Sequence, residues 1–158
     1  GCAADLWALG CTLFEIRTGR GLYKPFDDDD DSYLIAMVEV LGILPEPWWS
    51  SNWEDRRTFW KDEPAENGLA VHPNKPTFIP VEGVKRRVHP SVAEGARSLK
   101  EKLAPGVWYI AAPEETMHRP ISEREMDVFA DLLGRLLRFS PEDRESAASI
   151  ARHEWFKM

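Results

Sequence analysis

Apolar residues in this 158-residue chain follow three patterns, and each predicts a different kind of element. The first is a run that is apolar on nearly every side of a helical wheel, Asp5 to Ile16. There Leu6, Trp7, Leu9, Leu13, Phe14 and Ile16 are interrupted only by Asp5, Thr12 and Glu15, with Arg17 just beyond. A helix apolar all round is a buried helix, and this one is too short and too broken by charge to span a bilayer. Thr18-Gly19 then supplies a stop, because glycine takes the left-handed conformation cheaply. A central helix at the very start of a chain predicts that the domain begins upstream.

The second pattern is the one-sided stripe. Leu34, Met37, Val38 and Leu41 fall on one face of a helix over residues 32 to 41, which Gly42 and Pro45 end. The acidic run Asp27 to Asp31 stands before it, where carboxylates meet the positive end of the helix dipole. Val92, Ala96, Leu99 and Leu103 give a stripe to a helix over Ser91 to Leu103, followed by Pro105-Gly106. Met126, Phe129, Leu132, Leu133, Leu136 and Leu137 make the clearest stripe, opened by the capping box Ser122-Glu123-Arg124-Glu125. Ser140-Pro141-Glu142-Asp143 reads as one more helix start, with Ala147, Ile150 and Ala151 facing inward. The third pattern is the lack of one. Residues 62 to 91 are rich in Pro and Gly with no sustained period, which predicts a long irregular insertion. Between these, Trp48, Trp49, Trp53 and Trp60 mark a tryptophan-rich turn, and Trp49, Trp53 and Trp60 would share one face of a short helix over Asn52 to Lys61, as a satellite of the core. Val107 to Ile110 is an apolar run too short to separate strand from extended loop.

Composition adds exclusions. Net charge is -7, and a basic surface for phosphates is lacking, which argues against general nucleic-acid binding. A base-stacking role for the tryptophans fails for the same reason. The only cysteines, Cys2 and Cys11, lie nine residues apart on one helix and cannot bridge each other, which fits a reducing, intracellular compartment, cytoplasm or nucleus. No signal peptide or membrane-spanning run is present. The aspartate run lacks the alternate spacing of a calcium loop, and reads first as a solvated cap and second as a docking site for basic peptides. Lys85-Arg86-Arg87 reads as a solvated loop before an import signal.

The motifs of catalysis are missing. There is no Gly-rich phosphate loop before a helix, no zinc spacing among His72, His89, His118 and His153, and no nucleophile elbow. Each histidine reads as a surface or turn residue. In His118-Arg119-Pro120, proline stands where a kinase catalytic loop needs aspartate. We expect no catalytic, cofactor-binding or metal-binding residues in these positions.

The two ends of the chain together resemble the C-terminal lobe of a eukaryotic serine/threonine protein kinase. Asp5-Leu6-Trp7-Ala8-Leu9-Gly10 is similar to the D-x-W-x-x-G start of that lobe's central helix. Arg144-Glu145-Ser146-Ala147 is similar to its later R-x-S/T-A segment, and His153-Glu154-Trp155-Phe156 to its H-x-W-F end. Pro25-Phe26, the acidic segment, Met37 to Gly42 and the long insertion resemble the SR-protein-kinase branch in particular, as found in fungi. The resemblance covers residues 1 to about 60 and about 120 to 158.

It implies a mainly α fold: the helical C-lobe of the protein-kinase fold, truncated before the central helix and carrying a long irregular insertion. Residues 1–158 then form part of one kinase domain: 1–19 the central helix, 20–61 the following loop and helices, 62–121 the insertion, and 122–158 the last two helices. Asp5, Trp7, Gly10 and Arg144 are its structural motif residues. Asp5 would hydrogen-bond the backbone of the catalytic loop. Thr12 and Ile16 would support the apolar stack beneath the adenine, although Thr12 departs from the usual aliphatic residue. Arg144 matches the arginine that pairs with the A-P-E glutamate, which this chain lacks. Such a charge buried alone costs on the order of 3–5 kcal/mol, so we expect Arg144 to be partly exposed or to find another acid. ATP and Mg belong to the full-length family and need motifs absent here, so the chain alone is expected to be inactive. Partners implied are protein substrates and the N-lobe and catalytic loop of the same kinase. Basic Arg/Ser-rich peptides would dock at Asp28, Asp30, Asp31 and Glu39, although Arg20 and Ser32 stand where further acids are expected. The other readings are a non-catalytic helical binding module and a pseudokinase remnant.

Overall fold

The computed structural model describes residues 2–25, 27–71, 79–81, 84–86, 97–112 and 115–158. They are mainly helical and fall into two compact units, Gly1–Leu22 with Leu99–Met158, and Tyr23–Ser98.

The first unit is built on helices α1 (Cys2–Thr18) and α5 (Glu123–Leu136). α5 follows its sequence pattern closely. Phe129, Leu132, Leu133 and Leu136 are fully buried, Leu137 nearly so, and Met126 sits half-buried at the stripe's edge. Burying each such side chain contributes ~2 kcal/mol. α1 departs from expectation. It buries a single stripe, Leu6, Gly10, Phe14 and Thr18, spaced four apart, while Leu9 is 37% exposed and Ile16 76% exposed. The reason is geometric: one helix presents one stripe to the elements it packs on, and the opposite side of α1 is left open. Gly19, at φ 71°, ends the helix with its N–H donating to the Glu15 carbonyl (2.7 Å).

Helix α4 (Leu99–Leu103) adds a fully buried Leu103. The helix expected from Ser91 is corrected at its start: Arg97 and Ser98 are not helical and the helix begins at Leu99, while Ser91 to Ala96 lie outside the described residues. The run at Val107 is a strand. β3 (Val107–Ala112) pairs antiparallel with β4 (Glu115–Arg119) in the register Val107↔Arg119, with a bulge between Ile110 and Ala112.

The expected helix start at Ser140 is corrected. Pro141–Asp143 forms only a turn of 3-10 helix, and Ser140 makes no side-chain cap. Arg144 then extends at ψ 134°, which stops propagation. The helix α6 (Ala147–Ile150) starts one segment later, capped by Ser146, whose Oγ accepts from the Ser149 N–H (3.2 Å). Only Ile150 of the three residues expected inside is buried. The last turn, Glu154–Lys157, places Trp155 stacked on Phe129 at 4.6 Å.

In the second unit, α2 (Asp30–Leu41) opens as its acids predict, with the Asp29 carboxylate accepting from the Ser32 N–H (2.7 Å), and closes at Gly42, φ 87°. Its buried positions include Ile35, Val38 and Glu39, with Leu34, Met37 and Leu41 only half-buried. The stripe is thus rotated from the expected one. The tryptophans behave as satellite core: Trp49, Trp53 and Trp60 are 3%, 6% and 1% exposed, and Trp49 and Trp53 meet edge to face. They do not share one helix, however. Trp48–Asn52 is a π-type turn and α3 (Arg56–Phe59) a separate short helix. Arg56 is buried over the Trp49 ring and paired with Asp62 (2.6 Å), an arrangement that splits the segment in two. Within the expected irregular stretch, β1 (Ile79–Val81) and β2 (Val84–Arg86) form an antiparallel pair. Arg87, His72 and His89 lie outside the described residues.

Candidate functional site

Residues far apart in the sequence converge on one end of α1. Gly10 is buried there, and a Cβ at this position would meet Leu137 Cδ2 at 2.9 Å and Leu136 Cβ at 3.2 Å. Only glycine lets α1 sit this close to the end of α5. One turn earlier, Trp7 packs against Phe139 at 6.5 Å between ring centroids, and the Arg144 guanidinium lies 5.0 Å over the Trp7 ring. Arg144 is half-exposed and donates to the backbone carbonyls of Ala3 (2.6 Å), Arg138 (2.8 Å) and Phe139 (3.2 Å). It thus meets the expectation of partial exposure, and oxygen lone pairs and a ring face stand where an acid was looked for. Trp7, Gly10 and Arg144 form one knot.

Asp5 stands apart from that knot. It is exposed, and among the described residues its carboxylate accepts no hydrogen bond. It shares the open side of α1 with Leu9, Thr12 and Ile16, at spacings of four, three and four, so these residues form one stripe. This stripe joins an acceptor to apolar surface and is chemically suited to receive another polypeptide segment, backbone N–H groups toward Asp5 and apolar groups toward Ile16. Its signal was present in the sequence, hidden because the buried stripe beside it is equally apolar.

The capping box at Ser122 is half made. Ser122 Oγ accepts from the Glu125 N–H (3.2 Å), but the Glu125 carboxylate turns instead to Arg17, at 2.5 and 2.8 Å. This two-pronged bond holds the Glu125 carboxyl below the usual range and raises the Arg17 guanidinium. It ties α1 to α5 at the end away from the knot. Burial pushes the Cys11 thiol up, away from the reactive thiolate form.

A second polar cluster lies on the outer side of α5. Arg135 bonds Asp131 (2.9 Å) and Glu145 (2.9 Å), and Glu145 also accepts from Ser149 Oγ (2.6 Å). Burial raises the Asp131 carboxyl, but bonds from His153 and Arg135 outweigh it and hold that group below the usual range. Asp131, Arg135, Ser149 and His153 border an open cleft of about 510 Å³. His153, expected on the surface or in a turn, is found in a turn: it caps Glu154–Lys157, and its side chain is 7% exposed. His118 is exposed, its Nε2 2.9 Å from the Pro105 carbonyl.

The acids named for docking are not brought together as a set. Asp28 and Asp30 are exposed at the start of α2. Asp31 accepts from Trp53 Nε1 (2.7 Å), and Glu39 is 4% exposed. Of the positions where further acids were expected, Ser32 is buried, and Arg20 donates to the Lys102 and Gly106 carbonyls at 3.3 and 3.4 Å. Among the described residues no group of three or more His, Cys, Asp or Glu is placed to hold a metal ion, and no helix is long and apolar enough to cross a membrane.

No family model matches the chain. Known proteins do. The serine/threonine-protein kinase SKY1 of Saccharomyces cerevisiae is 27% identical over 161 residues, covering 99% of this chain and 17% of that kinase. The dual specificity tyrosine-phosphorylation-regulated kinase mbk-2 of Caenorhabditis briggsae is 29% identical, again over 99% of this chain and 17% of the relative. The serine/threonine-protein kinase AFC3 of Arabidopsis thaliana is 28% identical over 97% of this chain and 31% of its own length. The chain therefore spans less than a third of each of these relatives.

Proposed function

We propose a role for this chain inside a larger enzyme, on the premise that it is a stretch of the eukaryotic serine/threonine protein kinase type. In this reading it is the helical C-lobe, residues 1–19 being the central helix and 122–158 the last two helices. Its work is to hold the catalytic loop of a kinase that transfers phosphate from ATP to protein serine or threonine. One observation carries the reading: the knot of Trp7, Gly10 and Arg144 joins two of the three sequence motifs that suggested a kinase and fixes α1 in place, leaving Asp5, Leu9, Thr12 and Ile16 on its open side. A preorganised acceptor on a rigid helix is what a loop of backbone N–H groups needs. Asp5 would accept from the catalytic loop, and Thr12 and Ile16 would back the apolar stack under the adenine.

ATP and Mg belong to other parts of the kinase in this reading. Support comes from the sequence, which has no Gly-rich loop, no D-F-G and no H-R-D segment. Substrates are proteins. Docking of basic, Arg/Ser-rich peptides at the start of α2 is supported by the open carboxylates of Asp28 and Asp30, whereas Asp31 accepts from Trp53 and Glu39 is buried. An intracellular setting, cytoplasm or nucleus, goes with it.

The test is phosphate transfer from labelled ATP to a protein substrate. The chain alone is expected to transfer none. The whole kinase polypeptide containing it should be active, and Asp5→Ala in that polypeptide should lower kcat by about 100-fold, the scale of a ~1 Å misplacement of a catalytic segment. Transfer by the 158 residues alone, or an unchanged kcat in Asp5→Ala, would overturn the proposal. An inactive whole polypeptide with a stably folded monomeric chain would favour the binding-module reading instead.

A further inference from the structure

We propose that His153 is a proton-operated clasp on the C-terminal turn: its neutral ring caps Glu154–Lys157, and its protonated ring releases it. His153 sits at the N-cap position with extended backbone (φ -60°, ψ 146°), and its Nδ1 lies 3.2 Å from the backbone N of Trp155. A backbone N–H only donates, so Nδ1 must present a lone pair. The ring hydrogen therefore resides on Nε2, which lies 3.0 Å from Asp131 Oδ2 and donates to it. Both nitrogens are thus committed, and the tautomer is fixed from two sides.

A second proton has only one place to go. It binds Nδ1 and sets one donor against another at the Trp155 N–H, so the cap is lost. The Nε2–H to Asp131 bond becomes an ion pair and stays, which leaves the ring anchored to α5 while the turn lets go. What leaves with the turn is Trp155, stacked on Phe129 at 4.6 Å and edge-on to Phe156 at 5.2 Å. The charged groups around the ring are Asp127, Asp131 and Arg135 on α5, and Arg152 and Glu154 on its own segment. Asp127 is paired with Lys100, Glu154 with Arg124 (3.0 Å) and Asp131 with Arg135 (2.8 Å); among the described residues Asp131 is the carboxylate within hydrogen-bond distance of the ring, and its Oδ2 is shared between Arg135 and His153. The open cleft on this side gives water access to the ring.

The measurement is amide hydrogen exchange at Trp155 from pH 8 to pH 5, normalised to the unstructured rate at each pH. Protection should fall by about fivefold at the acid end, the factor that goes with loss of one cap, while the Leu132 and Leu133 amides of α5 hold theirs. His153→Asn keeps a neutral cap acceptor and should show no fall. Flat protection in the native chain, an equal fall in His153→Asn, or a parallel loss in α5 would each overturn the clasp.

Discussion

Gly10 shows how little room single residues have in the knot. An added methyl would stand 2.9 Å from Leu137 Cδ2 and 3.0 Å from its Cγ, a distance that only a shift of the leucine relieves. Overpacking of this kind costs ~1–3 kcal/mol, while alanine recovers ~1 kcal/mol of helix propensity. Crowding wins, and Gly10→Ala should destabilise the chain by about 1 kcal/mol in urea unfolding. A midpoint at or above the native one would mean that Leu137 moves freely. The glycine and Trp7 were legible in the sequence through their resemblance to the D-x-W-x-x-G motif. Arg144 was legible as a motif residue, but its partners were not, since backbone carbonyls leave no mark in the side-chain pattern. Neither was the burial of the His153 ring, which depends on a bond to Asp131, 22 residues away.

Elements are joined by the choices that single carboxylates make. Glu125 stands at the third helical position, where its box partner would be the Ser122 N–H, yet it bonds Arg17 across to α1. A cross-helix pair that is about three-quarters buried and two-pronged outweighs a local cap bond. Its folded-state carboxyl lies below its unfolded value, so its contribution is complete above about pH 4.3 and fades as pH falls through the depressed folded value. Thermal unfolding of Glu125→Gln against the native chain should show a gap near pH 7 that narrows as pH falls below about 4.3. A gap that persists in acid would assign the stability to packing rather than charge. The same local-against-distant contest explains which element starts were readable. Ser122 and Asp29 cap as the sequence predicts because the rest of each helix carries a long stripe behind it. Ser140 has no such stripe within reach, and the helix waits for Ser146.

At the scale of the whole molecule, the open side of α1 is where the proposed kinase setting makes its clearest difference from the chain alone. Leu9 and Ile16 already meet water, so Leu9→Gln and Ile16→Gln should each change the chain's own stability by less than about 0.5 kcal/mol. In the whole kinase polypeptide the same pair should lower kcat, because polar groups would then be buried without partners. A stability loss of several kcal/mol in the isolated chain would show that this face is covered within it. Sequence reading took α1 as buried all round because composition records how apolar a helix is, not how many neighbours the chain supplies. The mainly helical character was legible throughout, whereas the β3–β4 pairing was not, since a four-residue apolar run is equally compatible with strand and loop.

Arg144 donates to the backbone oxygens of Ala3, Arg138 and Phe139 rather than to side chains. Every residue type offers that oxygen, so two of these three addresses are written in position alone: side chains at 3 and 138 are free to drift through evolution without disturbing the arginine. The donor has no such latitude. Three diverging N–H vectors and a flat face over Trp7 are properties of a guanidinium that a lysine ammonium does not share. Drift in this lineage should therefore be lopsided, with one letter held still and its listeners free to vary.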